Sequence, residues 1–270
     1  MKMDLKKDII ELYKKTATEL PEDVIKALEK ARDNEDNKGK EILSKILENI
    51  NIAKKGIPIC QDTGIPLFYV KYPKEYTQDQ LKKIINEATK EATEQIPLRP
   101  NAVDSLTDKN IGNKAIIHFT ESKKLKISLM LKGGGCENVS TICSLPNKDL
   151  DAKRDLDGVR KCVLDAIVKA QGKGCPPYII GVAIAGNIEQ AASLSKKQLL
   201  RNLDDNNENK ELKKFEEQTL IDVNKLGIGP LGLGGKTTAL GVKIKSSARH
   251  PASYFIGISI SCWCTRRQND

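Results

Sequence analysis

A change of hydrophobic period at Gly56 most constrains how this chain can fold. Before it, Leu5, Ile9, Leu12 and Tyr13, then Val24, Ile25, Leu28 and Ala31, then Ile42, Leu43, Ile46, Leu47 and Ile50 recur at steps of three and four, the spacing of one helix face. Pro21 suits a first helical turn, and Gly56 stops the third helix. Beyond Gly56, short β-branched or aromatic runs alternate with further helical patterns. Residues 65–72 read as a strand. Thr77 and Gln80 make a capping box ahead of a helix whose apolar face is Leu81, Ile84, Ile85, Ala88 and Ala92. Strands at 115–120 and 125–132 are expected to form a hairpin, followed by a helix from Leu156 to Gly172 and strands at 178–185, 238–245 and 254–261. The expected fold class is α+β: a helical N-terminal region over 1–56, then a mixed α and β domain over 57–270 whose mixed sheet carries the functional loops.

Lys and Arg number 45 against 36 Asp and Glu, a formal charge of +9 that suits nucleic acid, an anionic surface or an acidic small molecule. The lysines are scattered among acids and aromatics make up only 4%, which argues against nucleic acid. The run from Lys196 to Glu217 mixes both signs with few apolar residues and reads as a solvated helical connection. No stretch approaches the ~18 consecutive apolar residues of a membrane span. The charged N-terminus lacks the apolar core of a signal peptide, so a cytoplasmic protein is expected.

In a reducing compartment, seven cysteines are more often core residues, ligands or catalytic thiols than disulfides. Cys162 lies on an apolar helix face and Cys143 has no Gly or Pro around it; both are expected as small core residues. Cys60, Cys175 and Cys262 differ, because each stands at a loop or strand end beside Pro, Gly or Ser, where the backbone can turn a sulfur inward. They are too far apart in sequence for a zinc ribbon or a ferredoxin run. Cys136 and Cys264 remain ambiguous. Four thiolates would saturate a 4Fe-4S cluster and suit an electron carrier or cluster-binding module, whereas three leave an iron open as a Lewis acid.

Other residues carry both a chemical and a structural reading. Gln61 and Asp62 stand directly beside Cys60, suited to hydrogen bonding and proton transfer, though Asp62 also fits an Asx turn onto Gly64. Arg99 offers a planar fork for a carboxylate. Gly133, Gly134 and Gly135 permit a close backbone approach, or a tight turn. His250 precedes the strand leading to Cys262 and suits proton transfer, or a structural role. Gly229–Thr238 invites comparison with a phosphate-binding loop, but the first required glycine falls at Pro230 and a helical pattern precedes it.

Taken together, Cys60-Gln-Asp-Thr-Gly64, Leu98-Arg99, Lys132-Gly-Gly-Gly135 with Asn138, Cys175-Pro-Pro177, Gly229 to Thr237, and Arg249-His250 through Ser261-Cys262 resemble the class I, iron–sulfur fumarase and L-tartrate dehydratase family. The pieces occur in family order over residues 57–266. The resemblance implies that Cys60, Cys175 and Cys262 hold a 4Fe-4S cluster with one open iron, and that Gln61, Arg99 and the backbone at Gly134 contact a small dicarboxylate. It also makes Asp62 and His250 the catalytic acid pair. The implied reaction hydrates fumarate to malate, as in the tricarboxylic acid cycle, or dehydrates tartrate. Two features depart from single-chain relatives: these commonly have serine where Cys136 stands, and differ after the last cysteine from Trp263-Cys264. Single-chain members also continue into a second domain beyond the position of Asp270. A separate β subunit supplying the base, a higher oligomer such as a heterotetramer, and little activity without that partner are therefore expected.

Overall fold

The computed structural model describes residues 4–269. Helices α1 (Leu5–Thr18), α2 (Glu22–Asn34) and α3 (Asn37–Ala53) come first, then β1 (Ile65–Tyr72) and α4 (Gln78–Gln95). The short strands β2 (Ala102–Val103) and β3 (Asn110–Gly112) lead to β4 (Ile116–Glu121), β5 (Lys126–Lys132) and a brief helix, α5 (Gly134–Asn138). There follow β6 (Thr141–Ser144), α6 (Leu156–Ala170), β7 (Tyr178–Ala185), α7 (Ile188–Gln198) and α8 (Lys210–Asn224). The chain ends with β8 (Ala239–Ser246), β9 (Phe255–Ser261) and β10 (Arg266–Asn269). This is the α+β architecture expected from the alternating periods.

Two compact units result: Met1–Pro21 with Glu48–Gly134 and Cys264–Asp270, and Glu22–Leu47 with Gly135–Trp263. In the first, the sheet order is β10-β5-β1-β4. β1 pairs parallel with β4 and antiparallel with β5, so the expected hairpin of β4 and β5 does not form. The reason is burial: β1 hides most of its residues and takes a neighbour on each side, reached through the α4 crossover. The capping box holds, with Gln80 N–H donating to Thr77 Oγ1 and Thr77 N–H to Gln80 Oε1. Ile9, Tyr13 and Ala17 of α1 pack with Leu81, Ile85 and Ala88 of α4 and with Phe68 and Leu129 of the sheet. Within that core Tyr13 meets Phe68 edge to face at 5.6 Å and shares a 2.9 Å hydroxyl hydrogen bond with Thr89.

In the second unit the order is β6-β9-β7-β8, with all eight residues of β7 buried. α7 sits hard against this sheet through two glycines. A Cβ on Gly181 would lie 2.2 Å from the Ser195 carbonyl oxygen, and one on Gly257 2.1 Å from that of Ala191. The charged run from Lys196 is not one solvated connection. α7 ends inside it, and Glu216 accepts from Arg201 Nη1 at 2.7 Å and from the Ile244 N–H at 2.6 Å. Glu216 thereby ties α8 to β8, and the buried Lys243 of β8 is paired at 2.7 Å with Asp205 of the loop before α8. Cys162 is buried as expected, but Cys143 is half-buried on β6 and the two are joined by a disulfide.

Candidate functional site

In the first unit the loop 60–64 is anchored at both ends. Ile59 N–H donates to the Ala17 carbonyl at 3.0 Å, and Asn49 Nδ2 donates to the Ile59 carbonyl at 3.0 Å. Thr63 Oγ1 donates to the Arg99 carbonyl at 2.8 Å, which places the Leu98-Arg99 segment beside the loop. Gly64 adopts φ +81 where a Cβ would come within 2.9 Å of the Lys132 carbonyl group, so the close approach of loop to β5 needs glycine.

Asp62 is the hub of this loop. Its Oδ1 accepts from Gly64 N–H at 2.8 Å, the expected Asx turn, and from Asn101 Nδ2 at 3.1 Å. Its Oδ2 accepts from Gly134 N–H at 2.8 Å, so the triple-glycine segment is brought to the carboxylate as the start of α5. Asn101 is itself held by Asn113, whose Oδ1 accepts the Asn101 N–H at 3.0 Å. Nothing in the sequence singled Asn101 out as a contact of Asp62.

Cys60, Gln61, Thr63, Leu98 and Arg99 line a cavity of about 370 Å³, and Arg99 Nη1 lies 3.5 Å from Gln61 Oε1. Both side chains are exposed, so a carboxylate can displace their weak mutual contact. The Cys60 thiol is pulled down to about 6, first by a hydrogen bond from the buried Cys264 side chain, then by the Asp62 backbone N–H and the Arg266 charge, all acting against burial. Arg266 is only 2% exposed, and its Nε and Nη1 make no hydrogen bond among the described residues.

In the second unit Cys175 is exposed at φ +56, just before the cis Pro176–Pro177 bond. Trp263 N–H donates to the Cys175 carbonyl at 3.3 Å, which draws the end of β9, with Cys262, to the same turn. Tyr178 Oη donates to the Gln171 carbonyl at 2.6 Å and accepts from Gly174 N–H at 3.2 Å. Burial pushes this phenol up to about 12, and Cys136, Cys175 and Cys262 each add to the rise, so all three sulfurs act on one hydroxyl. Cys136 is buried, with its Sγ donating to the Gly174 carbonyl at 3.3 Å.

His250 is exposed and its Nδ1 accepts the Ala252 N–H at 3.1 Å. A neutral ring so held carries its proton on Nε2. The neighbouring Arg249 is a scaffold for that turn, stacking 4.6 Å over Tyr254 and donating to the carbonyls of His250, Pro251 and Ser253. The glycine-rich loop after α8 is occupied from within: Glu35, buried at the end of α2, accepts from Lys236 N–H at 3.0 Å and Thr237 N–H at 2.5 Å. A carboxylate thus takes the amides that a phosphate would use.

The first unit therefore gathers Cys60, Gln61, Asp62, Arg99 and Gly134, and the second Cys175 and Cys262, with His250 on a separate turn. Among the described residues no three His, Cys, Asp or Glu side chains form a metal-holding group. No described helix is long and apolar enough to cross a membrane. Sequence reasoning missed Arg266 and Glu35, since an arginine at a strand start and a glutamate at a helix end look like surface residues until partners are known.

The family model described as "Fumarate hydratase (Fumerase)" matches residues 6–269. A putative class I fumarate hydratase from Geobacillus stearothermophilus is 43% identical over 97% of this chain and 54% of its own length. A putative L(+)-tartrate dehydratase subunit alpha from Methanocaldococcus jannaschii is 39% identical over 96% of this chain and 94% of its own. The L(+)-tartrate dehydratase subunit alpha of Escherichia coli K12 is 34% identical over 93% and 85%. The chain thus spans about half the length of the first relative and nearly all of the second.

Proposed function

We propose, since this chain belongs to the fumarate hydratase family of hydro-lyases, that it is the α subunit of a cytoplasmic two-chain enzyme interconverting fumarate and L-malate. The observation that carries this reading is the cavity where Cys60, Gln61 and Arg99 meet: a thiol poised as thiolate beside an amide and a guanidinium suited to a carboxylate. The names of two relatives, each a subunit alpha, support a separate β subunit, and with it a heteromer such as a heterotetramer.

The proposed cofactor is a 4Fe-4S cluster held by Cys60, Cys175 and Cys262. The donor set fits: none of the three is in a disulfide, and Cys60 is already stabilised as an anion. When bound, such a cluster with three protein thiolates supplies an open iron that acts as a Lewis acid. Cys136 and Cys264 are both buried and hydrogen-bonded, which disfavours the electron-carrier alternative because that needs a fourth thiolate. The chain's own residues do the rest. Arg99 and Gln61 grip one substrate carboxylate and fix its orientation. Asp62 fixes the Gly134 backbone, and His250 presents its Nε2–H to the substrate and serves as the acid when both ring nitrogens are protonated.

Anaerobic co-expression with a candidate β chain, followed by assays on fumarate, L-malate and tartrate, tests partner and substrate together. Turnover of fumarate and malate that requires both chains is expected. Robust turnover by this chain alone, or none of any dicarboxylate by the cluster-loaded pair, overturns the reading. The two subunit alpha relatives favour tartrate as the second substrate to assay.

A further inference from the structure

We infer that Arg266 is a buried positioning residue for the iron–sulfur site, its unused guanidinium N–H groups serving anionic sulfur on the Cys60 side of the cluster. The inference rests on the cluster reading above. Arg266 opens β10 opposite Leu131 of β5 and is 2% exposed, yet Nε and Nη1 make no hydrogen bond among the described residues. A guanidinium cannot shed its charge, so burying it with two idle donors is costly unless an anion takes them.

The anion follows from position. β10 begins shortly after Cys264, and Leu131 of β5 has Arg266 as its partner on one side and Pro66 on the other, two residues past the end of the 60–64 loop that carries Cys60. Arg266 does not line the cavity shared by Cys60, Gln61 and Arg99, so a substrate carboxylate there falls to the exposed residues and not to this one. Asp62, the nearest acid of the loop, already accepts three N–H groups. What remains is sulfur: Cys60 Sγ and the cluster it would carry. Hydrogen bonds and positive charge at cluster sulfurs favour the more electron-rich state and help retain the metal. Lysine in this place would keep the charge and lose the planar fork.

The test uses the full chain as wild type, Arg266→Met and Arg266→Lys, reconstituted anaerobically with iron and sulfide. Iron retained against a chelator and the cluster midpoint by EPR-monitored redox titration are read alongside far-UV circular dichroism. Arg266→Met should lose iron on the order of tenfold faster, the usual scale for a lost outer-shell partner, with a more negative midpoint; Arg266→Lys should fall between. Wild-type retention and midpoint in folded Arg266→Met overturn the inference and leave the cluster reading standing. If Arg266→Met does not fold, Arg266→Lys decides, and wild-type behaviour there overturns it. A wild-type chain that takes up no cluster overturns the underlying reading and this inference together.

Discussion

Replacing Asp62 with asparagine changes one atom and removes a charge, and the structure says which hydrogen bonds suffer. The amide oxygen can take the place of Oδ1, where Gly64 N–H and Asn101 Nδ2 arrive at 2.8 and 3.1 Å. The amide nitrogen then faces the Gly134 N–H, which met Oδ2 at 2.8 Å, and two donors confront each other. A hydrogen bond to a charged acceptor contributes about 1.5–3 kcal/mol, and the two survivors fall to roughly 1 kcal/mol each as neutral bonds. Asp62 is half-buried, so water recovers part of the loss, leaving a cost of about 3 kcal/mol. With a urea slope of roughly 2–3 kcal/mol per M, the midpoint should fall by about 1 M. Hydrogen exchange read by mass spectrometry on the peptide spanning Lys132–Asn138 should show lost protection at Gly134, while β7 peptides stay protected. Unchanged exchange at Gly134 together with an unchanged midpoint refutes the claim that Asp62 holds the triple-glycine backbone.

Three further outcomes follow from the same geometry. In cluster-free protein, iodoacetamide should alkylate Cys60 with a midpoint near pH 6, against about 8.5 for an ordinary thiol; Cys264→Ala should move that midpoint upward, and no movement would remove Cys264 as the main cause. Because the folded value is depressed, the thiolate also adds stability at alkaline pH that is lost as pH falls from the ordinary thiol value through about 6. Glu35→Ala leaves two amides without their acceptor and should cost about 2–4 kcal/mol by urea melt, whereas a cost under about 0.5 kcal/mol would show that the loop does not depend on Glu35. Millimolar ATP should leave the thermal midpoint of the wild type unmoved, since Glu35 already fills the loop, and a clear rise would revive the phosphate-loop alternative.

Much of the fold was legible because local rules and burial agreed. β1 and β7 were readable to the residue, since each is an apolar β-branched run between Gly or Pro boundaries. The Thr77 cap was readable because both of its bonds are local. Pairing was not. The β4–β5 hairpin was the natural choice from adjacency, but only the three-dimensional demand of β1 for two neighbours decides it. The Cys143–Cys162 bond joins a strand to a helix across a separation of 19, and neither sequence setting announces it. The Cys60 loop was legible through its neighbours in sequence. Arg266 and Glu35 were not, because their meaning lies in what they face after folding.

The same facts divide the two candidate acids. A carboxylate has about four lone-pair directions, and Asp62 has three N–H groups on it. Protonating Asp62 would take the one remaining direction and turn three charge-assisted bonds into weaker neutral ones, the Gly134 contact on Oδ2 among them, so every proton it carried would loosen the frame it builds. His250 has the opposite character. Its Nδ1 accepts the Ala252 N–H, its turn is braced by Arg249, and the acidic imidazolium form, with Nδ1 protonated as well as Nε2, gives up that one contact and leaves the Arg249 brace in place. For the proposed hydro-lyase we therefore propose His250 as the acid, with Asp62 as the acceptor that keeps Gly64, Asn101 and the Gly134 backbone of its own unit in register.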